Sequence, residues 1–148
     1  MREKWILLIE DTQGDEELVI RALRKSDIRN EVVVMRDGAQ ALDYLFGTGD
    51  HGGRNTNDLP AVVLLDIKLP KVDGLEVLRR LRSAGRTRLQ PVVILTSSIE
   101  DKDRLVGYDS GANSFVRKPI DFGEFCEAIR TLGHYWLNLN EPPPPIER

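Results

Sequence analysis

Ala61-Val62-Val63-Leu64-Leu65-Asp66 is the stretch on which the fold turns. Five apolar residues without polar alternation, ending on a carboxylate, suit a strand buried on both faces. Strands of that kind belong to parallel sheets covered by helices. The pattern recurs. Trp5-Ile6-Leu7-Leu8-Ile9 stops at Glu10-Asp11, Val92-Val93-Ile94-Leu95 stops at Thr96-Ser97-Ser98, and Ser114-Phe115-Val116-Arg117 stops at Lys118-Pro119. In a parallel sheet all C-terminal ends share one edge, so Glu10, Asp11, Asp66, Thr96 and Lys118 are expected to meet there.

Between the runs the apolar period lengthens to that of helices, which predicts strand and helix in alternation. Leu18, Val19, Ala22 and Leu23 give a helix face within about residues 14 to 27. Val32-Val33-Val34-Met35 reads as a further strand, and Asp37-Gly38 opens a helix carrying Ala41, Leu42, Leu45 and Phe46. After Asp73-Gly74 a third helix turns Leu75, Leu78 and Leu81 inward and Arg79, Arg80 and Arg82 outward. A short fourth helix is expected over about 100 to 110. In the fifth, Asp121 and Glu124 resemble a capping box, and Phe122, Phe125, Cys126, Ile129, Leu132 and Trp136 form one stripe. Five βα units predict a three-layer α/β domain over residues 1–137. Residues 138–148, ending in a proline run, read as an extended tail with no output domain. Residues 47–60 are rich in turn formers and poor in packing side chains, so they are expected to form an exposed, mobile loop.

Length and charge narrow the function. A chain of 148 residues can bury a core of its own. A net charge of −3 with 30% charged residues describes an ordinary soluble surface rather than a nucleic-acid or membrane binder. The basic run Arg79, Arg80, Arg82, Arg86 and Arg88 is then a solvated or protein-docking face. One cysteine permits no internal disulfide, which suits a reducing cytoplasm; Cys126 reads as core.

Three carboxylates gathered at one edge repel unless a cation neutralises them. An all-oxygen set suits a hard cation, and Mg²⁺ takes a few carboxylates together with waters and phosphate oxygens. Asp66 can serve as a nucleophile that carries a phosphoryl group. Glu10 and Asp11 would hold the metal, Lys118 would pair with one phosphoryl oxygen, and Thr96 would donate to another. Phosphoryl transfer is chiefly positioning and charge stabilisation, and this inventory suffices for it. Taken singly, each residue has an ordinary explanation as a helix cap, a turn residue or a solvated charge; the ordered set is what carries the reading.

These residues resemble the response-regulator receiver family of two-component signalling. The strongest match is Asp66-Ile67-Lys68-Leu69-Pro70-Lys71-Val72-Asp73-Gly74, which looks like the phosphoacceptor loop, and Glu10-Asp11, Thr96 and Lys118-Pro119 follow in order. The resemblance spans about residues 4 to 137. It implies a flavodoxin-like (βα)5 sandwich with sheet order 2-1-3-4-5, and a protein that accepts phosphate from a sensor histidine kinase rather than an enzyme. It further implies Asp11 and Asp66 as direct Mg²⁺ ligands, Glu10 as a ligand through water, the Lys68 backbone carbonyl as another, and a cis Lys118-Pro119 peptide. Phe115 matches the aromatic switch position beneath a partner-selecting face made by the fourth helix, fifth strand and fifth helix. The loop 47–60, Leu69-Pro70-Lys71 and the Tyr135-Trp136 ending look like single-domain Rcp-type receivers that partner phytochrome kinases, which would imply a homodimer.

Two other readings compete. A degenerate receiver would bind a partner without phosphorylation. An enzyme would be a dehalogenase-like phosphatase, which wants an acid where Lys68 stands, or a flavin carrier, which wants a glycine-rich loop where Glu10-Asp11 stand.

Overall fold

The computed structural model describes residues 3–144. Its five strands are β1 (Ile6–Ile9), β2 (Val32–Met35), β3 (Val62–Leu65), β4 (Val92–Thr96) and β5 (Ser114–Arg117). All pair in parallel, in the order β2-β1-β3-β4-β5. The helices between and after them are α1 (Gln13–Lys25), α2 (Gly38–Phe46), α3 (Gly74–Ser83), α4 (Asp101–Asp109) and α5 (Phe122–His134). This is the flavodoxin-like arrangement.

Successive strand residues face opposite ways, and the sequence fills both sides. Leu7, Ile9, Val63, Leu65 and Ile94 pack under α2 and α3, against Ala41, Leu45, Val77, Leu78 and Leu81. Ile6, Leu8, Leu64, Val93 and Leu95 pack under α1 and α5, against Val19, Leu23, Phe125 and Ile129. Each fully buried aliphatic side chain contributes about 1.5–3 kcal/mol relative to exposure, so the two cores dominate the fold's stability. The order of strands puts the switch in direction beside β1, where α1 leads out to one side and β3 lies on the other. A crevice opens at that point of such sheets.

Caps fix two of the helix starts. Asp37 accepts from the Gln40 N–H at 2.7 Å, and Asp121 accepts from the Glu124 N–H at 2.9 Å. Gly74 has a stricter role: a Cβ there would lie 2.2 Å from the Asp66 carbonyl oxygen. Only glycine lets α3 begin directly against the turn that follows β3.

Three expectations need correcting. The loop 47–60 does pack, because Arg54 stacks 4.1 Å from the centre of the Tyr44 ring and hydrogen-bonds the Asp58 carbonyl, while the Trp5 indole donates to Asp58 at 3.0 Å. Its packing side chain is an arginine, which an apolar pattern cannot flag. Arg82 does not point outward with its neighbours; it binds backbone across the base of the sheet. At the end of α5 a π-helical turn, Tyr135–Leu139, adds Leu137 to the core, and Trp136, half-buried, packs against it as the stripe implies. Of the expected tail, residues 138 and 139 belong to that turn, and the last four residues lie outside the described region.

Candidate functional site

Strand register assembles the site. Ile9 pairs with Leu65, and the Asp66 N–H donates to the Ile9 carbonyl at 3.1 Å, so Glu10 and Asp66 leave adjacent strands side by side. On the far side Thr96 pairs with Arg117, and the Lys118 N–H donates to the Thr96 carbonyl at 2.7 Å. Lys118 thereby reaches back across the strand ends towards β1 and β3.

Carboxylate oxygens of Glu10, Asp11 and Asp66 all lie within 4.8 Å of one another. Into this group projects the Lys118 ammonium, 2.7 Å from Glu10 Oε1, 2.8 Å from Asp15 Oδ2 and 3.2 Å from Asp66 Oδ2. The Lys118 side chain is 7% exposed and that of Glu10 2%. Burial pushes the Glu10 carboxyl above its ordinary 4.5, and the Asp66 charge adds to this, against the opposing hydrogen bond and charge of Lys118. For Lys118 burial acts to lower the ammonium, but the hydrogen bonds it donates to Asp15 and Glu10 and the Asp66 charge outweigh it and hold it above its ordinary value. Four acids share one cation, so the site is short of positive charge. An all-oxygen donor set with that deficit fits a divalent hard cation.

The other expected residues lie near but differ in engagement. Lys68 is exposed; its N–H donates to Asp66 Oδ1 at 3.3 Å. Thr96 is buried, and its hydroxyl oxygen accepts from the Ser98 N–H at 3.3 Å, with no hydrogen bond from the hydroxyl to Asp66 or Lys118. Ser98 donates in turn to Asp103 of α4 at 2.6 Å, which ties the end of β4 to that helix. Phe115 is half-buried beneath α4, with its ring 6.5 Å from that of Tyr108. The Lys118-Pro119 peptide is trans, not cis. Trans is the lower isomer before proline by about 0.5–1 kcal/mol, and Lys118 reaches all three acids from it.

Asp15 is the residue the sequence reading missed. It sits in the first turn of α1, where acids ordinarily complement the helix dipole, so nothing in the local pattern marks it. The only available signal was its position one turn past the acidic pair, over the same sheet edge.

A parallel 2-1-3-4-5 sheet with an acidic crevice crossed by a buried lysine defines the chain as a receiver-type α/β domain. Residues 6–130 match the response regulator receiver domain family, and the chain belongs to that family. Among curated proteins it is 40% identical to the probable methanogenesis regulatory protein FilR2 of Methanothrix harundinacea (strain 6Ac), over 95% of this chain and 88% of that one. Among solved structures, the bacteriophytochrome response regulator RtBRR is 53% identical, with 97% of this chain and 86% of that chain covered and a TM-score of 0.76. The phosphorylated cyanobacterial phytochrome response regulator RcpA is 33% identical, covering 97% and 100%, with a TM-score of 0.88. The Mn(2+)-bound form of response regulator Rcp1 is 31% identical, covering 95% and 99%, with a TM-score of 0.86.

Proposed function

We propose that this protein is a single-domain response regulator that accepts a phosphoryl group on Asp66 from a phosphohistidine of a sensor histidine kinase of the phytochrome type. The observation that carries the reading is the Lys118 ammonium held 3.2 Å from Asp66 within a cluster of carboxylates. An Asp66 oxygen forms the new bond to phosphorus as the phosphorus–nitrogen bond of the donor breaks, with the electron pair leaving on the imidazole. The protein is then acceptor rather than enzyme.

Glu10, Asp11 and Asp66, with the Lys68 carbonyl, would hold Mg²⁺, which supplies charge neutralisation for the incoming phosphate. Lys118 pairs with a phosphoryl oxygen, and Thr96 turns its hydroxyl towards another. Through Ser98 and Asp103 that movement reaches α4, and Phe115 turns into the space left behind. The face of α4, β5 and α5, on which Leu105 and Tyr108 are exposed, then selects partners. The similarity to RtBRR and RcpA supports a phytochrome kinase as donor. The proposal extends to a cytoplasmic location and to a homodimer as the assembled form.

The test is incubation with Mg²⁺ and a small acyl phosphate, followed by phosphate-sensitive electrophoresis. The native protein should shift and Asp66→Asn should not. A shifted band in Asp66→Asn would refute the assignment. Transfer from an autophosphorylated bacteriophytochrome kinase tests the donor, and sedimentation with and without a phosphate analogue tests the dimer.

A further inference from the structure

The Lys118 ammonium has three N–H donors, and three carboxylates occupy them: Glu10, Asp15 and Asp66. Any oxygen that arrives with a phosphoryl group must therefore take a donor from one of the three. Glu10 is a poor candidate. Its side chain is 2% exposed, and stripping its lysine would leave a buried carboxylate oxygen unpaired, which is costly because water cannot replace the lost partner. Asp66 is the group that would carry the phosphate. Asp15 differs from both, because its side chain is 35% exposed and water can replace the lysine there at little cost.

We propose that Asp15 is a positioning residue that parks Lys118, competing with the phosphoryl group for the ammonium while favouring the divalent cation. This rests on Asp66 as phosphoacceptor and extends that reading to a residue outside the polar strand ends. The two effects have opposite signs for a physical reason. A cation entering among Glu10, Asp11 and Asp66 repels the ammonium that lies against two of them, and Asp15 gives that ammonium somewhere to stay. A phosphoryl group instead attracts the ammonium, and Asp15 holds it back. Among the described residues Asp15 has no other side-chain hydrogen bond, so its carboxylate is committed to this one partner. It is anchored to the first turn of α1, and the lysine to the end of β5, so the contact also joins two elements that flank the site.

The experiment is a double-mutant cycle between Asp15→Asn and Lys118→Ala, read by calorimetric titration of Mg²⁺ into metal-free protein and of beryllofluoride into Mg²⁺-saturated protein. Asp15→Asn should weaken Mg²⁺ roughly two- to fivefold and tighten beryllofluoride by a similar factor, the range of a partly exposed ion pair. In the Lys118→Ala background the same substitution should change neither. Weakening of both ligands by Asp15→Asn would mean a merely structural role and would overturn the proposal. Equal effects with and without Lys118 would reduce Asp15 to a through-space charge, and would overturn it too. The Mg²⁺ arm does not need Asp66 to accept phosphate, so failure of the phosphoacceptor reading shows separately, as labelling that persists in Asp66→Asn.

Discussion

The two ends of β4 and β5 each hold a cation withdrawn from water, and the two are built on opposite terms. At the C-terminal ends Lys118 is surrounded by carboxylates, and their pull raises its pKa in spite of burial. At the N-terminal ends Arg82 has no ion pair with an acid among the described residues. Its guanidinium donates to the Gly111 carbonyl at 2.9 Å, the Gln90 carbonyl at 2.8 Å and the Asn113 side-chain oxygen at 3.0 Å, and burial lowers its pKa. Asn113 in turn accepts from the Val92 N–H at 2.8 Å. Arg82 therefore knots together the chain entering both strands. One cation closes backbone and has nothing left to exchange; the other is held by groups that a ligand could take from it. Stability is concentrated at one end and responsiveness at the other.

The comparison breaks most readily at Arg82. Arg82→Ala strands several backbone carbonyls and should cost about 3–4 kcal/mol, read as a lower urea midpoint with an unchanged slope. Arg82→Lys should recover little, because an ammonium cannot span the same fork. If Arg82→Ala were neutral, the knot would be incidental and the contrast with Lys118 would fall.

Lys118→Ala should cost about 2–3 kcal/mol in metal-free protein, since it leaves the carboxylates without their cation. Mg²⁺ should restore more stability to this variant than to the native chain, whereas it should do nothing particular for Arg82→Ala. A Lys118 variant indifferent to Mg²⁺ in thermal unfolding would argue against a shared cation site.

Removing an acid should have the opposite sign. Asp66→Asn relieves repulsion in the metal-free protein and should raise stability by about 1 kcal/mol while cutting the gain from Mg²⁺. A loss of stability with an undiminished Mg²⁺ gain would contradict it.

The smallest effects are those of pH. Glu10 binds its proton more tightly folded than unfolded, so its contribution favours the folded state at low pH and fades as pH rises from 4.5 through the raised value. Glu10→Gln should flatten that limb of the metal-free stability curve. Lys118 gives the other limb: its contribution is complete below its ordinary 10.5 and is lost as pH climbs through its raised value. Lys118→Ala should remove the alkaline limb, and chemical denaturation at stepped pH would show whether it does.

Much of this was legible in the residues because buried parallel strands write themselves as short apolar runs. Val32–Met35 and Ser114–Arg117 are observed over the ranges their sequences suggest, and the ends of the helices shift by one or two residues. Glu10, Asp66 and Thr96 were found for the same reason, each being the residue at which an apolar run stops; Asp11 follows the first of these, and Lys118 follows the last strand. Asp15 was not, because a helix-start acid looks the same whether it meets a dipole or a lysine from the far end of the chain. Arg82 was misread for a similar reason. Its place in the α3 period is that of a solvated arginine, and only the arrival of Gly111 and Asn113 beneath it gives the side chain something to bind.

The sequence by itself determined the order of elements, the two buried faces of the sheet and the polar residues at its edge, since these follow from period, burial and chain direction. The tertiary structure alone decided the partnerships of the two cations. Lys118 meets Glu10 and Asp15 across 108 and 103 positions of chain, and Arg82 meets Asn113 across 31. Contacts of that range depend on how layers and loops settle against one another, and no local pattern of residue types encodes them.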